Sequence, residues 1–315
     1  MSDFKVTLII TVKNEANTIA ELLESIVNQT LAPNEIVFVD GGSTDATVEI
    51  LKNFFQKHPS LNWQLHQKNG NRSMGRNHAI SVASHEWIAV TDAGCVLDQL
   101  WLESLVKTQL ATDTLVQAGY YKGLAKNSFE MAVVPYVLVM PDRVDEESFL
   151  PSTRSMMLHT SVWSAVGGFP EKIVIGEDFY FAKKVRKLGY HIAFSKDAVV
   201  GWIPRSDIYS FFSMVKEMAS GDATSGEIRK KVKLIFLRYG VVALLILLAL
   251  STGSVYLALI LFFAGLLYGL WAILKNKKYV KSGWQWLPVL QFVSDIGVIL
   301  GTLEGVTQRH SQDID

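Results

Sequence analysis

A long stretch almost without charge constrains this chain more than any other feature of its sequence. In residues 234–274 the only formal charge is Arg238, and the last 36 of these residues carry none. A helix needs about 20 apolar residues to cross a bilayer, and the short polar segment 252–254 divides the stretch into two parts of about that length. We therefore predict two transmembrane helices, at residues 234–251 and 255–274.

A third long apolar stretch covers residues 284–306 but carries several polar side chains. Among them, Gln291, Asp295 and Thr302 fall on one face of a helix. Such a segment either spans the bilayer with that face turned inward or lies in the membrane interface. We favour the spanning interpretation.

Basic residues lie on both sides of the two predicted spans, within residues 229–233 and 275–281. Loops rich in Lys and Arg stay in the cytoplasm, so both flanks are expected there. Residues 1–233 carry 24 Lys and Arg against 26 Asp and Glu, an ordinary balance for a soluble domain. We expect a multi-pass protein of the cell membrane, with a cytoplasmic domain (1–233), a membrane region (234–306) and a tail (307–315).

Composition excludes several classes of protein. With 49% hydrophobic residues and no net charge, the chain is not a disordered tail, and it lacks the overall basic charge typical of nucleic-acid binding. The only cysteine, Cys95, allows neither an internal disulfide nor a zinc site built from thiolates, which favours a reducing compartment. Residues 1–15 do not have the pattern of a signal peptide.

Apolar runs with alternating spacing predict a domain of α/β class. Short β-branched or apolar runs predict strands, and apolar residues with helical spacing follow most of them. Strands that alternate with helices form a mainly parallel sheet with right-handed crossovers. Residues 128–150 allow no assignment. The predicted strands are 6–10, 35–39, 63–66, 87–91, 115–121 and 154–159, and the predicted helices include 74–83 and 179–188.

Acidic residues follow two of the predicted strands or lie beside a glycine: Asp40, Asp92 and the pair Glu177 and Asp178. Ligands of parallel sheets bind at the carboxyl ends of the strands, where the loops after strands 6–10, 35–39 and 87–91 would meet. Taken singly, an Asp before Gly is most often a turn or helix cap. The functional interpretation therefore rests on the combination.

That combination resembles glycosyltransferase family 2, whose members have the GT-A fold. The resemblance covers about residues 4–200, in six segments that occur in the family's order. It implies an inverting enzyme that uses a nucleotide diphosphate-sugar, with UDP as the expected nucleotide. The matching segments are Ile9-Ile-Thr-Val-Lys-Asn-Glu15, Val39-Asp-Gly-Gly-Ser-Thr-Asp45, Gly75-Arg-Asn77, Val90-Thr-Asp-Ala-Gly94, Val166-Gly-Gly-Phe-Pro-Glu171, and Gly176-Glu-Asp178 followed by residues 186–190.

The resemblance implies which residues bind the nucleotide-sugar. Glu15 and Asp40 would hold the base and ribose, with Thr11 in the same loop region and Arg76 nearby. A carboxylate accepts hydrogen bonds from a base N–H or from ribose hydroxyls, so these roles fit the residue types. Arg76 is as readily explained by an ion pair with a carboxylate, and Arg72 is an equally placed alternative.

The resemblance also implies a bound Mg²⁺ or Mn²⁺. Asp92 occupies the first position of the family's Asp-x-Asp element, where a metal neutralises the leaving diphosphate. This chain departs from the pattern, because the second position is Gly94. One carboxylate, two phosphates and water molecules still suffice for Mg²⁺.

Asp178 matches the family's catalytic base, which takes the proton of the acceptor hydroxyl. Glu177 would hold the loop or contact the acceptor. Both acids also suit the beginning of the predicted helix 179–188, where negative charge is favourable.

Trp202 and Arg205 are expected between the sheet and the first span. They would contact a lipid head or diphosphate, or act as interfacial anchors. The chain lacks the Gln-x-x-Arg-Trp element of processive synthases, which favours the addition of a single sugar to a membrane-associated acceptor, a lipid or lipid-linked glycan. The alternatives are a short processive polysaccharide synthase and a non-catalytic membrane sensor of nucleotide-sugars.

Overall fold

The structure, a computed structural model, describes residues 4–312 and divides into two compact units. The first unit, of residues 4–124 and 141–203, contains all the strands of the described chain. The second unit, of residues 125–140 and 204–312, is helical.

The strands are β1 (Val6–Val12), β2 (Glu35–Asp40), β3 (Trp63–Gln67), β4 (Trp87–Asp92), β5 (Cys95–Leu97), β6 (Val116–Gly123), β7 (Met156–His159) and β8 (Ile192–Trp202). The helices of the first unit are α1 (Ile19–Val27), α2 (Thr47–Lys57), α3 (Arg72–Val82), α4 (Trp101–Thr112), α6 (Thr160–Val166) and α7 (Glu177–Lys187), and those of the second are α5 (Ser128–Val137), α8 (Ile208–Thr224), α9 (Lys230–Thr252), α10 (Val255–Asn276) and α11 (Leu287–Gln312). Short 3₁₀ turns lie at Pro141–Arg143, Lys277–Tyr279 and Trp284–Trp286.

The eight strands form one sheet in the order β3-β2-β1-β4-β7-β6-β8-β5. The first four are parallel to one another, and β6 is parallel to β8. β7 runs antiparallel between β4 and β6, and β5 is antiparallel to β8. The prediction of a mainly parallel α/β sheet is therefore confirmed.

Helices cover both faces of the sheet, which explains why the central strands are apolar on both sides. On β1, Leu8 and Ile10 pack with residues of α1, α2 and α4, including the fully buried Trp101. Ile9 points to the other face and packs in the cluster that contains Ala79 of α3 and Phe181 of α7. The sheet is thus the middle layer of three.

Several element boundaries differ from the prediction. The side chain of Asn71 caps α3 by accepting a hydrogen bond from the Met74 amide, so the helix begins at Arg72 rather than at residue 74. α7 begins at Glu177, two residues before the predicted start, because the left-handed Gly176 ends the preceding loop. Residues 128–137, left without assignment, form α5, and residues 192–202 form the unpredicted β8.

In the helical unit, α8 and α11 approach each other closely. Gly297, Gly301 and Gly305 recur every fourth residue along the side of α11 that contacts α8. A Cβ atom at Gly301 would lie 2.0 Å from the carbonyl oxygen of Lys216, and one at Gly305 would lie 2.2 Å from that of Ser220. Small residues at such spacing allow two helix backbones to come together, as in many membrane proteins.

α9, α10 and α11 meet at the buried carboxylate of Asp295. Its Oδ2 accepts hydrogen bonds from Arg238 at 2.9 Å, from the Tyr239 hydroxyl at 3.1 Å and from the Tyr268 hydroxyl at 2.7 Å, while Oδ1 accepts one from Gln291 at 3.0 Å. The polar face predicted on the third apolar stretch is therefore turned inward.

Three helical segments of the described chain have the length and apolar composition to cross a bilayer: Lys230–Thr252, Val255–Tyr279 and Trp284–Arg309. The first starts four residues before the predicted span.

Candidate active site

The ends of three neighbouring strands bring two carboxylates to one edge of the sheet. In the ladder, Val12 of β1 is paired with Asp40, the last residue of β2, and Thr11 is paired with Asp92, the last residue of β4. The two acids therefore flank the carboxyl end of β1. The strand register therefore brings the loops after β1, β2 and β4 together at one edge, as predicted.

The loop after β1 is tied to the loop after β2. Asn14 adopts a left-handed conformation, with φ of 57°, and its Oδ1 accepts a hydrogen bond from the Thr44 amide at 2.8 Å. The Glu15 amide donates to the Thr47 hydroxyl, and the Glu15 carboxylate accepts from the Thr18 hydroxyl at 2.5 Å. Glu15 is thus fixed at the beginning of α1, beside the loop that follows Asp40.

Thr11 packs towards α3 rather than standing free. A Cβ atom at Gly75 would lie 2.8 Å from the Thr11 methyl carbon, so only glycine at this position of α3 permits so close an approach. This contact brings the neighbouring residue, Arg76, close to the ends of the strands.

The Asp40 carboxylate is almost fully buried and binds its own loop. Its Oδ2 accepts from the Gly42 amide at 3.1 Å, and its Oδ1 accepts from the Ser43 hydroxyl at 2.5 Å. Gly42 has φ of +90°, which lets the loop turn back onto the carboxylate. The turn-forming role that such an Asp usually has is therefore present here.

Arg76 links two parts of the site that are far apart in sequence. Its guanidinium, 2% exposed, donates to Asp92 Oδ1 at 2.9 Å and to Glu177 Oε1 at 2.6 Å. Burial alone would lower the pKa of Arg76, but Asp92, Glu177 and Asp178 outweigh burial and raise it. Of the two interpretations of Arg76, the ion pair with carboxylates is therefore observed.

Asp92 keeps its negative charge although its side chain is partly buried. Burial would raise the pKa of its carboxyl, yet the charges of Arg76, Arg154 and Arg72 lower it below the usual value. Its side chain is about one third exposed. Asp92 is thus a charged carboxylate with one oxygen held by Arg76.

Asp178 is the second residue of α7 and is half-buried. Its Oδ2 accepts a hydrogen bond from the Ser152 hydroxyl at 2.9 Å, and its Oδ1 accepts one from the Phe179 amide at 2.8 Å. Glu177, by contrast, is buried and held by Arg76, which favours its holding role over contact with an acceptor. The two adjacent acids therefore have different surroundings.

The Gly-Gly-Phe-Pro-Glu segment is held against α3 by Asn77. The Asn77 amide donates to the Phe169 carbonyl and to the Glu171 carboxylate, both at 2.9 Å, and its oxygen accepts from the Phe169 amide at 2.8 Å. The Phe169 ring in turn lies 5.6 Å from the Arg76 guanidinium carbon. This segment therefore contacts the Arg76 guanidinium through the Phe169 ring and helps to fix its position.

Sequence analysis did not identify Arg154 as a site residue. Its guanidinium lies 5.7 Å from the Tyr121 ring centre and 5.6 Å from that of Trp202, and its charge helps to lower the pKa of Asp92.

The expected position of Trp202 is wrong. Trp202 is the last residue of β8 and not part of a connection beyond the sheet, because β8 extends to pair with β6 and β5. Arg205 is an exposed residue between β8 and α8.

The residues at this edge offer one acidic ligand to a metal ion. Among residues 4–312, no group of three or more His, Cys, Asp and Glu side chains is arranged to hold a metal. A Cβ atom at Gly94 would meet no atom within 4 Å, so there is open space where a second acid would stand. Asp92 therefore fits Mg²⁺ or Mn²⁺ when a bound molecule and water supply the other ligands.

Cys95, next to this space, is 1% exposed, and burial raises the pKa of its thiol to about 12. A thiol in this state is not a nucleophile at neutral pH, so Cys95 acts as a small buried side chain.

Comparison with known proteins supports a relationship over the first unit. The sequence model of the family described as Glycosyl transferase family 2 matches residues 7–163, about half of the chain. Glycosyltransferase AglE of Haloferax volcanii is 26% identical over 202 residues, which are 62% of this chain and 65% of AglE. The chain thus aligns with just under two thirds of that relative's length.

Two solved structures share the fold at 20% sequence identity. Mannosyltransferase PcManGT from Pyrobaculum calidifontis, in complex with GDP-Man and Mn²⁺, has a TM-score of 0.66 and covers 94% of this chain and 88% of its own. S. aureus TarS 1–349, in complex with UDP-GlcNAc, has a TM-score of 0.51 and covers 69% of this chain and 66% of its own.

Proposed function

Because the chain belongs to glycosyltransferase family 2, we propose that it transfers a sugar from a nucleoside diphosphate-sugar to a membrane-associated acceptor, with inversion at the anomeric carbon. The observation that carries this proposal is the Arg76 network, which brings Asp92 and the Glu177–Asp178 pair to one site at the carboxyl edge of the sheet. Ligands of such sheets bind at this edge.

The nucleotide end of the donor is assigned to the loops after β1 and β2. Glu15, Asp40 and Thr11 would surround the base and ribose, with hydrogen bonds from N–H and hydroxyl groups to the carboxylates. The PcManGT and TarS structures contain a GDP-sugar and a UDP-sugar, which supports the donor class. UDP as the nucleotide of this chain stays a prediction. Since Asp40 already binds Gly42 and Ser43, a ribose would share these oxygens with the loop.

Asp92 would hold Mg²⁺ or Mn²⁺ together with the donor diphosphate. The metal, when bound, neutralises the negative charge that develops on the leaving group. The Mn²⁺ in the PcManGT structure supports this assignment, as do the charge and exposure of Asp92 and the space beside Gly94.

Asp178 is assigned as the general base. In an inverting transfer the acceptor oxygen forms a bond to the anomeric carbon while the bond to the diphosphate oxygen breaks, and the acceptor proton moves to a carboxylate. Asp178 is half-exposed, and its Oδ2 is oriented by the Ser152 hydroxyl. Glu177 and Arg76 position it from the buried side.

The acceptor is assigned to the membrane because three long apolar helices accompany the transferase domain. We propose a multi-pass protein of the cell membrane, with residues 1–233 in the cytoplasm, the membrane region at 234–306 and a tail at 307–315. The basic residues at the beginning of α9 (229–233) and around the end of α10 (275–281) support this orientation. Trp202 and Arg205 remain candidates for contact with the acceptor or the diphosphate.

The test is an assay of the full chain in vesicles of cell lipid extract, with a panel of UDP-, GDP- and dTDP-sugars. We expect release of nucleoside diphosphate and a glycosylated product in the lipid fraction with at least one donor. Asp178→Asn should abolish both signals, while Asp197→Asn, which changes an exposed acid of β8, should keep them. Nucleoside diphosphate release without any product in the lipid fraction would contradict the membrane acceptor.

A further inference from the structure

A groove in the helical unit is not used by the proposed reaction. It lies among α5, α8, the beginning of α9 and α11, and it has an empty volume of about 590 Å³, part of it open to solvent. Its walls are mainly apolar and include Tyr136, Val215, Met218, Val232 and Val298. We call it the helical groove.

One end of the helical groove is charged. Asp222 and Arg229 line it and form an ion pair at 2.7 Å between Asp222 Oδ2 and Arg229 Nε. The Asp222 side chain is 13% exposed, whereas that of Arg229 is 55% exposed. Arg229 therefore presents much of its guanidinium to the surroundings while Asp222 orients it.

The positive charge continues along the chain from this end. Lys230, Lys231 and Lys233 follow close after Arg229, so residues 222–233 have four basic residues against two acids, Asp222 and Glu227. Such clusters next to an apolar helix attract anionic lipid headgroups. The site thus combines a positive end with apolar walls.

The apolar walls extend to the basic end of the groove. Val232 lines the groove near the beginning of α9, three residues after Arg229. The groove therefore suits a molecule that has an apolar body joined to an anionic end. A free phosphate would leave the apolar walls uncovered, and an uncharged hydrocarbon would make no use of the positive charge of residues 229–233.

We propose that the helical groove binds one hydrocarbon chain of an anionic phospholipid, whose phosphate contacts Arg229. Ser294 and Thr302 of α11, which also line the groove, offer hydroxyls to the glycerol and ester region. None of the lining residues has a role in the proposed sugar transfer, so lipid binding here is tested separately from that reaction.

Binding is tested with the purified full chain in detergent, by native mass spectrometry with phosphatidylglycerol as the probe. We expect a retained lipid whose apparent affinity falls on the order of tenfold or more in Arg229→Gln, as for a lost hydrogen bond to a charged group. The control Lys231→Gln removes an equal charge from an exposed neighbour outside the groove and should cost about fivefold at most. Equal losses in the two variants would overturn the proposal and indicate general attraction to the basic segment.

A second measurement tests the apolar part. Ser294→Trp fills the groove and should abolish retention, whereas Leu300→Trp, on the exposed side of the same helix, should not. Diacylglycerol and glycerol phosphate, the two halves of the probe, should each compete weakly. With the unaltered chain, phosphatidylglycerol bearing a diazirine in mid-chain should label Met218 and Val298. Label spread only over the outer faces of α9 and α10 would overturn the proposal even if a variant failed to fold.

Discussion

Replacement of Arg76 should destabilise the first unit strongly, because this residue neutralises a buried carboxylate. We expect Arg76→Met, which replaces the guanidinium by a shorter unbranched apolar side chain, to leave the buried Glu177 carboxylate without its partner. Arg76 is 2% exposed and Glu177 5% exposed at their side chains, with 2.6 Å between Nη1 and Oε1. Breaking a buried ion pair by removing one partner costs about 3–5 kcal/mol.

Most of this cost comes from Glu177. The Asp92 side chain is one third exposed, so water screens its charge once Arg76 is gone. Asp92 therefore contributes little to the free-energy cost of the substitution. For a unit of this size, 1 kcal/mol corresponds to about 2–4 °C in the melting temperature. The variant should therefore melt about 6–20 °C below the wild-type chain.

The assay is thermal unfolding of the full chain in detergent, followed by tryptophan fluorescence. Arg72→Met serves as the matched control, since Arg72 is exposed one turn earlier on α3 and interacts with Asp92 through charge alone. A surface change of this kind should stay within about 0.5 kcal/mol. The double variant Arg76→Met/Glu177→Gln removes the unpaired charge and should regain part of the lost stability.

The effect should also depend on pH with a defined sign. The folded pKa of Asp92 is lowered, so its ion pair stabilises the fold above the unfolded value, near 4, and this stabilisation disappears as the pH falls through the folded pKa. The share of Asp92 in the difference between wild type and Arg76→Met should thus be full at pH 7 and should decrease below about pH 4, which makes a small change in the total. Equal melting of Arg76→Met and Arg72→Met, or a double variant no more stable than Arg76→Met, would refute the reasoning.

Three further predictions concern the proposed activity and topology. Asp178→Asn should slow the chemical step on the order of 10²–10⁴-fold in single-turnover measurements at saturating donor; a loss under about tenfold would exclude a general base and favour an acceptor that is already an anion, such as a lipid phosphate. Asp92→Ala should lose most turnover, and chelator should abolish wild-type activity, whereas full activity in excess chelator would contradict the metal. A cysteine at Thr252, the last residue of α9 before the turn to α10, should react with an impermeant reagent added to intact cells, and one at Asp197 should not; the reverse pattern would contradict the orientation.

The parallel half of the fold could be predicted because its signals are local. Each of the strands β1, β2 and β3 is followed by a helix, and right-handed crossovers then restrict the order of parallel neighbours. The position of β7 had no such signal: it pairs with β4 and β6, to neither of which it is joined by a short turn. For the same reason β8, which follows α7 and pairs with β6 and β5, was not predicted.

The candidate site was predictable where strand ends define it. Asp40 and Asp92 could be placed together because the carboxyl ends of parallel neighbours share one edge. The bridge from Arg76 to Glu177 spans 101 residues of sequence, and no local pattern records such a pair. Arg154 was missed for a similar reason, since a basic residue shortly before a strand is common and only the fold brings its charge near Asp92.

The carboxylate shared by α9, α10 and α11 affects how a membrane-inserted chain would be made. Arg238 precedes Asp295 by 57 residues, so the ribosome delivers the cation well before its counter-ion. An Arg within a span costs up to about 2.5–3.5 kcal/mol at the translocon. Before Asp295 arrives, only the rings of Tyr239 and Tyr268, 5.4 and 4.3 Å from the Arg238 guanidinium carbon, reduce this cost. The hairpin of α9 and α10 should therefore stay beside the translocon until α11 is synthesised, and a chain truncated before Asp295 should be degraded rather than released into the bilayer.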